Sequence, residues 1–192
     1  MPADVLTQNR YQILRRLHVG GMGEVFLAQQ SGTLRRKVVL KRMLPGLRGD
    51  PSLQKRFAQE AALLSDLAGP GLPALYETGE GGEGPFLVLQ YIEGANLREL
   101  LLAGGPLSFA QAAHVLGRSF SILARLQEAK DARGDSLGFV HRDLAPENLQ
   151  LSLSAHVYLL DLGIARSAAS RLRTEAGVRQ GRISYMAPEV LR

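Results

Sequence analysis

The chain has 192 residues, of which 23 are Lys or Arg and 18 are Asp or Glu, and it contains no Cys and no Trp. This length suits one domain or two small ones. A composition that is 45% hydrophobic and 21% charged excludes a disordered tail or a fibrous repeat. Without Cys there is no disulfide framework and no thiolate metal site. The first residues, MPADVLTQNR, lack the apolar run of a signal peptide, and no stretch approaches a membrane span of roughly 18 apolar residues. We therefore expect a cytoplasmic location for these residues, and a membrane anchor beyond residue 192 stays open.

The net charge of +5 does not by itself indicate a nucleic-acid partner. Of the basic residues 19 are Arg and only four are Lys, and neither stacking aromatics nor a recognition motif accompanies them. One concentration stands out, because the part of the chain after residue 163 carries six Arg against two Glu. Taken alone, this pattern favours a solvated basic loop.

The first half of the chain has the pattern of a strand meander with one helix. Apolar runs over residues 11–14, 25–28 and 37–41 are separated by Gly and Ser-Gly turns. Asp50-Pro51 has the form of an N-cap followed by Pro at the first helical position, and apolar residues recur at helical spacing as far as Gly69. Two further strands are predicted over residues 72–76 and 86–92.

The second half is mostly helical. Asn96-x-x-Glu99 and Ser108-x-x-Gln111 both have the form of a capping box and predict two helix starts. Runs over 149–153 and 157–160 predict a small hairpin, and residues 167–182 predict a long loop. A mostly β part followed by a mostly α part indicates an α+β fold.

A glycine cluster, Gly20, Gly21 and Gly23, lies between the first two strands. Glycines let backbone N–H groups approach a phosphate closely. Glycine hairpins also serve as simple turns, so both interpretations stay open. The cluster is not a Walker loop, which needs Gly-Lys-Ser/Thr at the start of a helix.

Lys41 ends the third strand, and Glu60 lies in the following helix. Glu60 is surrounded in sequence by Phe57, Ala61 and Leu64, on the side that should face the sheet. A carboxylate in that position requires a cation, and Lys41 is the candidate.

The run from His141 to Asn148 carries the strongest chemical signal. Asp143 and Asn148 lie five residues apart on a loop, so Asp143 can accept a hydroxyl proton while Asn148 coordinates Mg²⁺. Asp161 follows a strand and offers a second hard oxygen ligand. Mg²⁺ favours one or two protein ligands plus phosphates, and this pair fits that mode.

With these motifs in view, the sequence resembles the protein kinase family, specifically the eukaryotic-like Ser/Thr kinases of bacteria. Six motifs occur in family order: Gly20-x-x-Gly23-x-Val25, Val38-Val39-Leu40-Lys41, Glu60, His141-Arg142-Asp143 with Asn148, Asp161-Leu162-Gly163 and Ala187-Pro188-Glu189. The resemblance implies a two-lobed kinase-like α+β fold. Residues 1–92 would form a β-rich N-terminal lobe with one regulatory helix, and residues 93–192 part of a mostly helical C-terminal lobe.

The resemblance also implies a role for each matching residue. Lys41, held by Glu60, would bind the α- and β-phosphates of ATP, and Asp143 would orient and deprotonate the acceptor hydroxyl. Asn148 and Asp161 would hold Mg²⁺. The ATP-binding positions would be Val19, Gly20, Gly21, Gly23, Val25, Val39, Lys41, Leu89, Gln90, Ile92 and Gln150.

The expected activity is transfer of the γ-phosphoryl group of ATP to Ser or Thr of protein substrates. The expected partners are therefore ATP, Mg²⁺ and proteins, with no nucleic acid and no membrane span in this chain. Arg142 before Asp143 often marks control by phosphorylation in the family, and Ser167, Ser170 and Thr174 are available acceptors. A basic loop that attracts acidic partners is the alternative.

Several positions depart from the family pattern. His18 replaces the usual first glycine, and Gln150 stands where an apolar adenine floor is usual. Ala145 replaces a Lys, and Arg182 replaces a Thr, on the acceptor side. These changes keep open a second hypothesis, a catalytically weak or inactive kinase-like module that binds nucleotide or other proteins.

The chain stops three residues after Glu189, whereas kinase domains of this family continue through several more helices. The resemblance therefore implies that a further C-terminal segment or a partner chain completes the second lobe.

Overall fold

The computed structural model describes residues 10–33, 35–130, 134–136, 139, 141, 144–162 and 185, together with the backbone of residues 5–6. The chain divides into two compact units, Met1–Ala68 with Pro73–Tyr91, and Gly69–Leu72 with Ile92–Arg192. The division into lobes at residue 92, inferred from the motifs, stays a prediction. No helix among the described residues is long and apolar enough to cross a bilayer.

The first unit is built on an antiparallel sheet, which has six strands in the described part of the chain, in the order β1-β2-β3-β4-β6-β5. Its elements are β1 (Val5–Leu6), β2 (Tyr11–Val19), β3 (Gly23–Gln30), β4 (Lys37–Met43), helix α1 (Pro51–Asp66), β5 (Leu75–Gly81) and β6 (Gly84–Gln90), with a 3-10 turn at Pro45–Leu47.

One face of this sheet forms the apolar core of the unit. The buried side chains of the core alternate along the strands, as expected where successive residues point to opposite faces. They are Tyr11, Phe26, Ala28, Val38, Leu40, Phe86 and Val88.

A cluster of polar side chains connects the start of β2 to β5, and these two strands lie toward opposite ends of the sheet. The two terminal guanidinium nitrogens of Arg10, Nη1 and Nη2, donate to Glu77 at 2.8 and 2.9 Å, and the Tyr11 hydroxyl donates to the same carboxylate at 2.6 Å. Burial raises the pKa of Tyr11 to about 12, and the hydrogen bond and negative charge of Glu77 act in the same direction. The cluster therefore ties two strands 66 residues apart.

Helix α1 begins at a side-chain cap, as the sequence predicts. The Asp50 carboxylate accepts hydrogen bonds from the amides of Ser52 and Leu53, at 2.8 and 3.4 Å. A hydrogen bond with the Ser52 side chain, followed by these amide bonds, holds the pKa of Asp50 below its ordinary value. Phe57, Glu60 and Leu64 are the buried residues of the helix, and their spacing places all three on one face.

The second unit combines a small sheet with two helices. Its elements are β7 (Gly94–Asn96), α2 (Leu97–Gly104), α3 (Phe109–Gln127), a 3-10 turn (Pro146–Asn148), β8 (Leu149–Ser152) and β9 (Val157–Leu159), and within the described residues its sheet has three strands in the order β7-β8-β9. Both predicted capping boxes are present, Asn96 with Glu99 and Ser108 with Gln111.

Two glycines make close contacts at the start of this unit. Gly71 has φ +84°, and a Cβ there would lie 2.4 Å from Ile122 of α3, while its carbonyl accepts from the Leu159 amide at 2.8 Å. Gly94 has φ +154°, and a Cβ there would lie 1.9 Å from the Leu151 carbonyl oxygen. Both positions therefore require glycine.

The α+β arrangement expected from the sequence, with a β-rich first unit and a mostly helical second one, is observed. Two strands differ from their predictions. The strand expected at residues 86–92 spans Gly84–Gln90. The strand expected at residues 72–76 begins at Leu75 and runs to Gly81. Along it, the half-buried residues Glu77, Gly79 and Gly81 alternate with exposed ones, as in a strand with one face covered. The glycines and glutamates of this strand resemble a turn in the sequence.

Candidate active site

Four of the predicted ATP-binding residues share the face of the first sheet opposite its core. Val25 is the cross-strand partner of Lys41, and Val39 is the partner of Leu89. Residues 39 and 41 lie two apart on β4, and cross-strand partners project from the same side. The structure therefore brings Val25, Val39, Lys41 and Leu89 together on one surface.

Lys41 contacts Glu60 on this same face. The Lys41 ammonium group hydrogen-bonds to the Glu60 carboxylate, and only 16% of the Lys41 side chain and 6% of the Glu60 side chain are exposed. The buried face of α1 aims Glu60 at the sheet, with Phe57 and Leu64 on either side. A charge pair this buried is costly to desolvate, and such pairs concentrate at functional sites.

The glycine loop joins β2 to β3 as a tight hairpin. The Gly20 amide donates to the Gly23 carbonyl at 2.8 Å, and the Leu44 amide donates to the Met22 carbonyl at 3.1 Å. A Cβ at Gly23 would lie 2.7 Å from the Arg42 carbonyl oxygen, whereas one at Gly21 would meet nothing within 4 Å. Gly23 is therefore required for packing against β4, and Gly21 is open to the outside.

Two further predicted ATP-binding residues, Gln90 and Val19, lie at the ends of strands in the first unit. The Gln90 amide donates to the Ala74 carbonyl at 2.8 Å, and the Gln90 side-chain oxygen accepts from the Ala74 amide at 3.3 Å. Val19 is exposed at the end of β2. The two hydrogen bonds between Gln90 and Ala74 fix the end of β6 within the first unit.

Gln150 has a partner within the second unit. Its side-chain amide donates to the carbonyl of Ile92, which is itself buried, at 3.2 Å. The unusual polar residue at this position is thus satisfied by backbone, which removes the desolvation penalty of an unpaired amide.

The segment from His141 to Asn148 is described only in part. Asp143 and Arg142 lie outside the described residues. Of their neighbours, His141 is buried and packs edge-on against Phe139, with ring centroids 6.3 Å apart. Ala145 is also buried, only 4% exposed.

Asn148 and Asp161 are adjacent through the β8–β9 hairpin. Leu149 is the cross-strand partner of Leu159, and the Leu160 amide donates to the Asn148 carbonyl at 2.9 Å. This pairing brings the backbone of Asn148 beside the residue that precedes Asp161. The two predicted Mg²⁺ ligands therefore stand at one end of one hairpin, with an amide and a carboxylate as the oxygen donors.

This donor set fits Mg²⁺, which binds few protein oxygens and takes its other ligands from phosphates and water. Within the described residues there is no group of three or more His, Asp or Glu side chains that would form an all-protein metal cage. The sequence-based assignment of Asn148 and Asp161 as ligands stays a prediction.

One ion pair near the catalytic run has no signal in the sequence. Arg98, in the first turn of α2, donates to Glu147 at 2.8 Å across 49 residues. This ion pair connects α2 to the 3-10 turn, and that turn contains Asn148. A pair with this separation is not visible in any local pattern, because both residues are ordinary surface types.

The expected phosphorylation segment lies outside the described residues. This applies to Ser167, Ser170, Thr174 and Arg182 and to the Ala187-Pro188-Glu189 motif. Of this part of the chain only Tyr185 is described, and it is exposed.

Several curated proteins are similar to this chain. It is 35% identical over 188 residues to the tyrosine-protein kinase MasK of Myxococcus xanthus, covering 95% of this chain and 29% of that protein. It is 37% identical over 195 residues to the serine/threonine-protein kinase pkn2 of Myxococcus xanthus, covering 98% and 22%. For the serine/threonine-protein kinase PknL of Mycobacterium tuberculosis the identity is 35%, with 97% and 45% covered. The chain thus spans less than half the length of these relatives.

Two solved structures are also similar to this chain, and they confirm the two-lobed, kinase-like α+β fold expected from the resemblance. The apo form of PpkA-294 has a TM-score of 0.73 and 26% identity, over 92% of this chain and 66% of that one. The PknI kinase domain of Mycobacterium tuberculosis has a TM-score of 0.64 and 26% identity, over 93% and 70%. The family model "Protein kinase domain" matches residues 11–192, and the chain therefore belongs to the protein kinase family.

Proposed function

We propose that the chain binds ATP and transfers its γ-phosphoryl group to Ser or Thr hydroxyls of protein substrates. The observation that carries this proposal is the buried Lys41–Glu60 pair, which stands on the same sheet face as Val25 and Val39. A buried ammonium fixed by a carboxylate is a localised positive charge, suited to the α- and β-phosphates of a nucleotide whose adenine ring packs on the valines.

The chemistry consists mainly of positioning and charge neutralisation. The substrate hydroxyl oxygen forms a bond to the γ-phosphorus, the bond from that phosphorus to the β,γ-bridging oxygen breaks, and ADP leaves. Asp143 accepts the hydroxyl proton. Asn148 and Asp161 would hold Mg²⁺, which neutralises charge on the phosphates when bound. Glu60 keeps Lys41 in place throughout.

A kinase-like module that binds nucleotide but transfers phosphate weakly is the second candidate. Ala145 favours it, because this residue stands where Ser/Thr kinases place a Lys, and its small side chain is buried.

The test separates nucleotide binding from phosphate transfer. Mg-ATP binding is followed by calorimetric titration and transfer by labelled γ-phosphate, in the wild-type chain and in Lys41→Met, Glu60→Gln and Asp143→Asn. Lys37→Met is the matched control, since Lys37 is an exposed lysine at the start of the same strand. We expect Lys41→Met to lose both binding and transfer, Asp143→Asn to lose transfer alone, and Lys37→Met to lose neither.

Other outcomes discriminate between the candidates. Binding without transfer by the wild-type chain would support the weak module and contradict catalysis. Equal losses in Lys37→Met and Lys41→Met would contradict a specific role for Lys41. Phosphoamino-acid analysis of the product distinguishes Ser/Thr from Tyr as the acceptor, a necessary step because one relative is named as a tyrosine-protein kinase.

A further inference from the structure

Strand β2 contains a β-bulge immediately before the glycine loop. Arg16 is the cross-strand partner of Phe26, but His18, two residues later, is the partner of Val25, only one residue earlier on β3. Leu17 is therefore the extra residue. Without the bulge, Leu17 would stand opposite Val25. Bulges of this kind redirect side chains and are frequent beside active sites.

The bulge places His18 on the sheet face that carries Lys41. His18 pairs with Val25, and Val25 pairs with Lys41 on the next strand. Because cross-strand partners project from the same face, the three side chains form one row across β2, β3 and β4. The neighbouring residues Phe26 and Leu40 belong to the core on the opposite face.

The His18 ring lies against the glycine loop itself. A Cβ at Gly20 would be 3.8 Å from both Cδ2 and Nε2 of His18. The ring is exposed at one edge of the hairpin closed by the Gly20 and Gly23 backbone. An N–H on Nε2 therefore lies within reach of an anion held against the loop.

The surrounding charges favour an anion on this face. Arg15 is the partner of Leu27 and so projects from the same face, while Lys41 is paired with Glu60 of α1. Among the described residues of β2, β3 and β4, the other charged groups beside His18 are Arg16, Glu24 and Arg42, which project from the other face. There Glu24 accepts from Arg42 at 3.1 Å and from Arg16 at 3.4 Å.

We propose that His18 binds the β- or γ-phosphate of the nucleotide through its imidazole N–H, in addition to the loop amides. This inference rests on the proposed ATP binding. A glycine, usual at this position in the family, has no side chain that could make the contact. Histidine gains a positive charge as the pH falls from 8 to 5, and a charge-assisted hydrogen bond to phosphate is about twice as strong as a neutral one.

The test compares a nucleotide with a ligand that lacks phosphate. A non-hydrolysable Mg-ATP analogue and adenosine are titrated calorimetrically at pH 6 and pH 8 into the wild-type chain, His18→Gln and His18→Gly. His114→Gln is the matched control, because His114 is an exposed histidine on α3 of the second unit, bonded to the Ala155 carbonyl at 2.9 Å. Comparison with the variants at each pH cancels titration of the phosphates themselves.

We expect His18→Gln and His18→Gly to weaken analogue binding about tenfold at pH 6, the effect of losing a hydrogen bond to a charged group. At pH 8 the loss should shrink to about two- to threefold, as expected for a neutral hydrogen bond. Adenosine binding and the unfolding temperature should stay unchanged, and His114→Gln should behave as wild type.

Two results would overturn the inference alone. The first is wild-type binding of the analogue that does not change in either His18 variant. The second is a loss of equal size for the analogue and adenosine, which would indicate only a structural effect on the loop. If the wild-type chain bound the analogue at neither pH, the proposed ATP binding and this inference would both be wrong.

Discussion

Two glycines of the same loop are subject to different constraints, although they look equivalent in the sequence. A Cβ at Gly23 would collide with the Arg42 carbonyl oxygen at 2.7 Å, whereas at Gly20 the nearest atom would be 3.6 Å away. The first distance is to rigid backbone of β4, and the second is an ordinary contact. Gly23 is thus a packing residue, whereas a Cβ at Gly20 would fit without displacing its neighbours.

We therefore predict unequal effects of alanine at these two positions. Gly23→Ala should lower the free energy of unfolding by about 1–3 kcal/mol, the usual range for forced overpacking. Gly20→Ala should change it by less than about 0.5 kcal/mol. Urea denaturation followed by circular dichroism measures both. Equal destabilisation by the two variants would contradict the difference in packing.

Tyr11 makes the stability of the first unit dependent on alkaline pH. Its pKa is raised to about 12, chiefly by burial and then by its bond to Glu77. A raised pKa means that the contribution to stability is complete below the unfolded value near pH 10 and is lost as the pH rises from about 10 toward 12. Because burial is the largest cause of the raised pKa, this loss of stability depends on the burial of Tyr11.

Replacing Tyr11 by Phe tests this dependence. Tyr11→Phe should cost about 1 kcal/mol near pH 8, because the hydrogen bond at 2.6 Å is lost. It should also flatten the fall of the unfolding temperature above pH 10. Tyr76→Phe, at an exposed tyrosine on β5, is the control. An alkaline profile as steep in Tyr11→Phe as in wild type would contradict the assignment.

At the scale of secondary structure, local chemistry explains which elements could be predicted. The Asp50 cap and the capping boxes of Asn96 and Ser108 are local signals, and all three are observed. Strand β5 begins three residues and ends five residues later than predicted, because its alternating glutamates and glycines are stabilised by pairing with β6 rather than by a local strand signal. The bulge at Leu17 is likewise set by pairing with β3.

The capping box of α2 provides a direct test of such a local signal. The Asn96 side chain accepts from the Glu99 amide at 2.9 Å, and the Glu99 carboxylate accepts from the Asn96 amide at 2.9 Å. Asn96→Ala should lower the free energy of unfolding by about 1 kcal/mol. It should also speed amide hydrogen exchange in the first turn of α2.

The matched control for this cap is Asn96→Asp. Aspartate keeps the acceptor oxygen and adds a negative charge at the helix N-terminus, which is favourable there. We expect it to retain the wild-type stability and exchange rates. Destabilisation of Asn96→Asp as large as that of Asn96→Ala would show that the side-chain bond is not what stabilises this helix.

At the scale of the whole molecule, the chemical requirements of single residues predicted which residues lie close together although they are far apart in the sequence. Glu60 required a cation, and the structure provides Lys41, 19 residues away. Asn148 and Asp161 were grouped by ligand type, and the β8–β9 hairpin makes them neighbours. Arg98 and Glu147 had no such requirement as surface residues, so their pairing across 49 residues could only be found in the structure.

Helix α3 presents apolar residues on two sides, and only one side is buried. Val115, Ile122 and Leu126 are buried, whereas Phe109 is 91% exposed, Phe120 61% and Leu116 53%. The exposed residues are four and seven apart, which places them on a single stripe. A contiguous exposed apolar stripe promotes association between molecules.

We predict that the double variant Leu116→Gln/Phe120→Gln reduces self-association of the chain without destabilising it. Glutamine is a good helix former, and the replaced side chains are exposed, so the free energy of unfolding should change by less than about 0.5 kcal/mol. Light scattering during size-exclusion chromatography measures association, and urea denaturation measures stability. Ile122→Gln, on the buried side of the same helix, is the control and should destabilise strongly. Loss of stability in the double variant as large as in Ile122→Gln would mean that the stripe is part of the core.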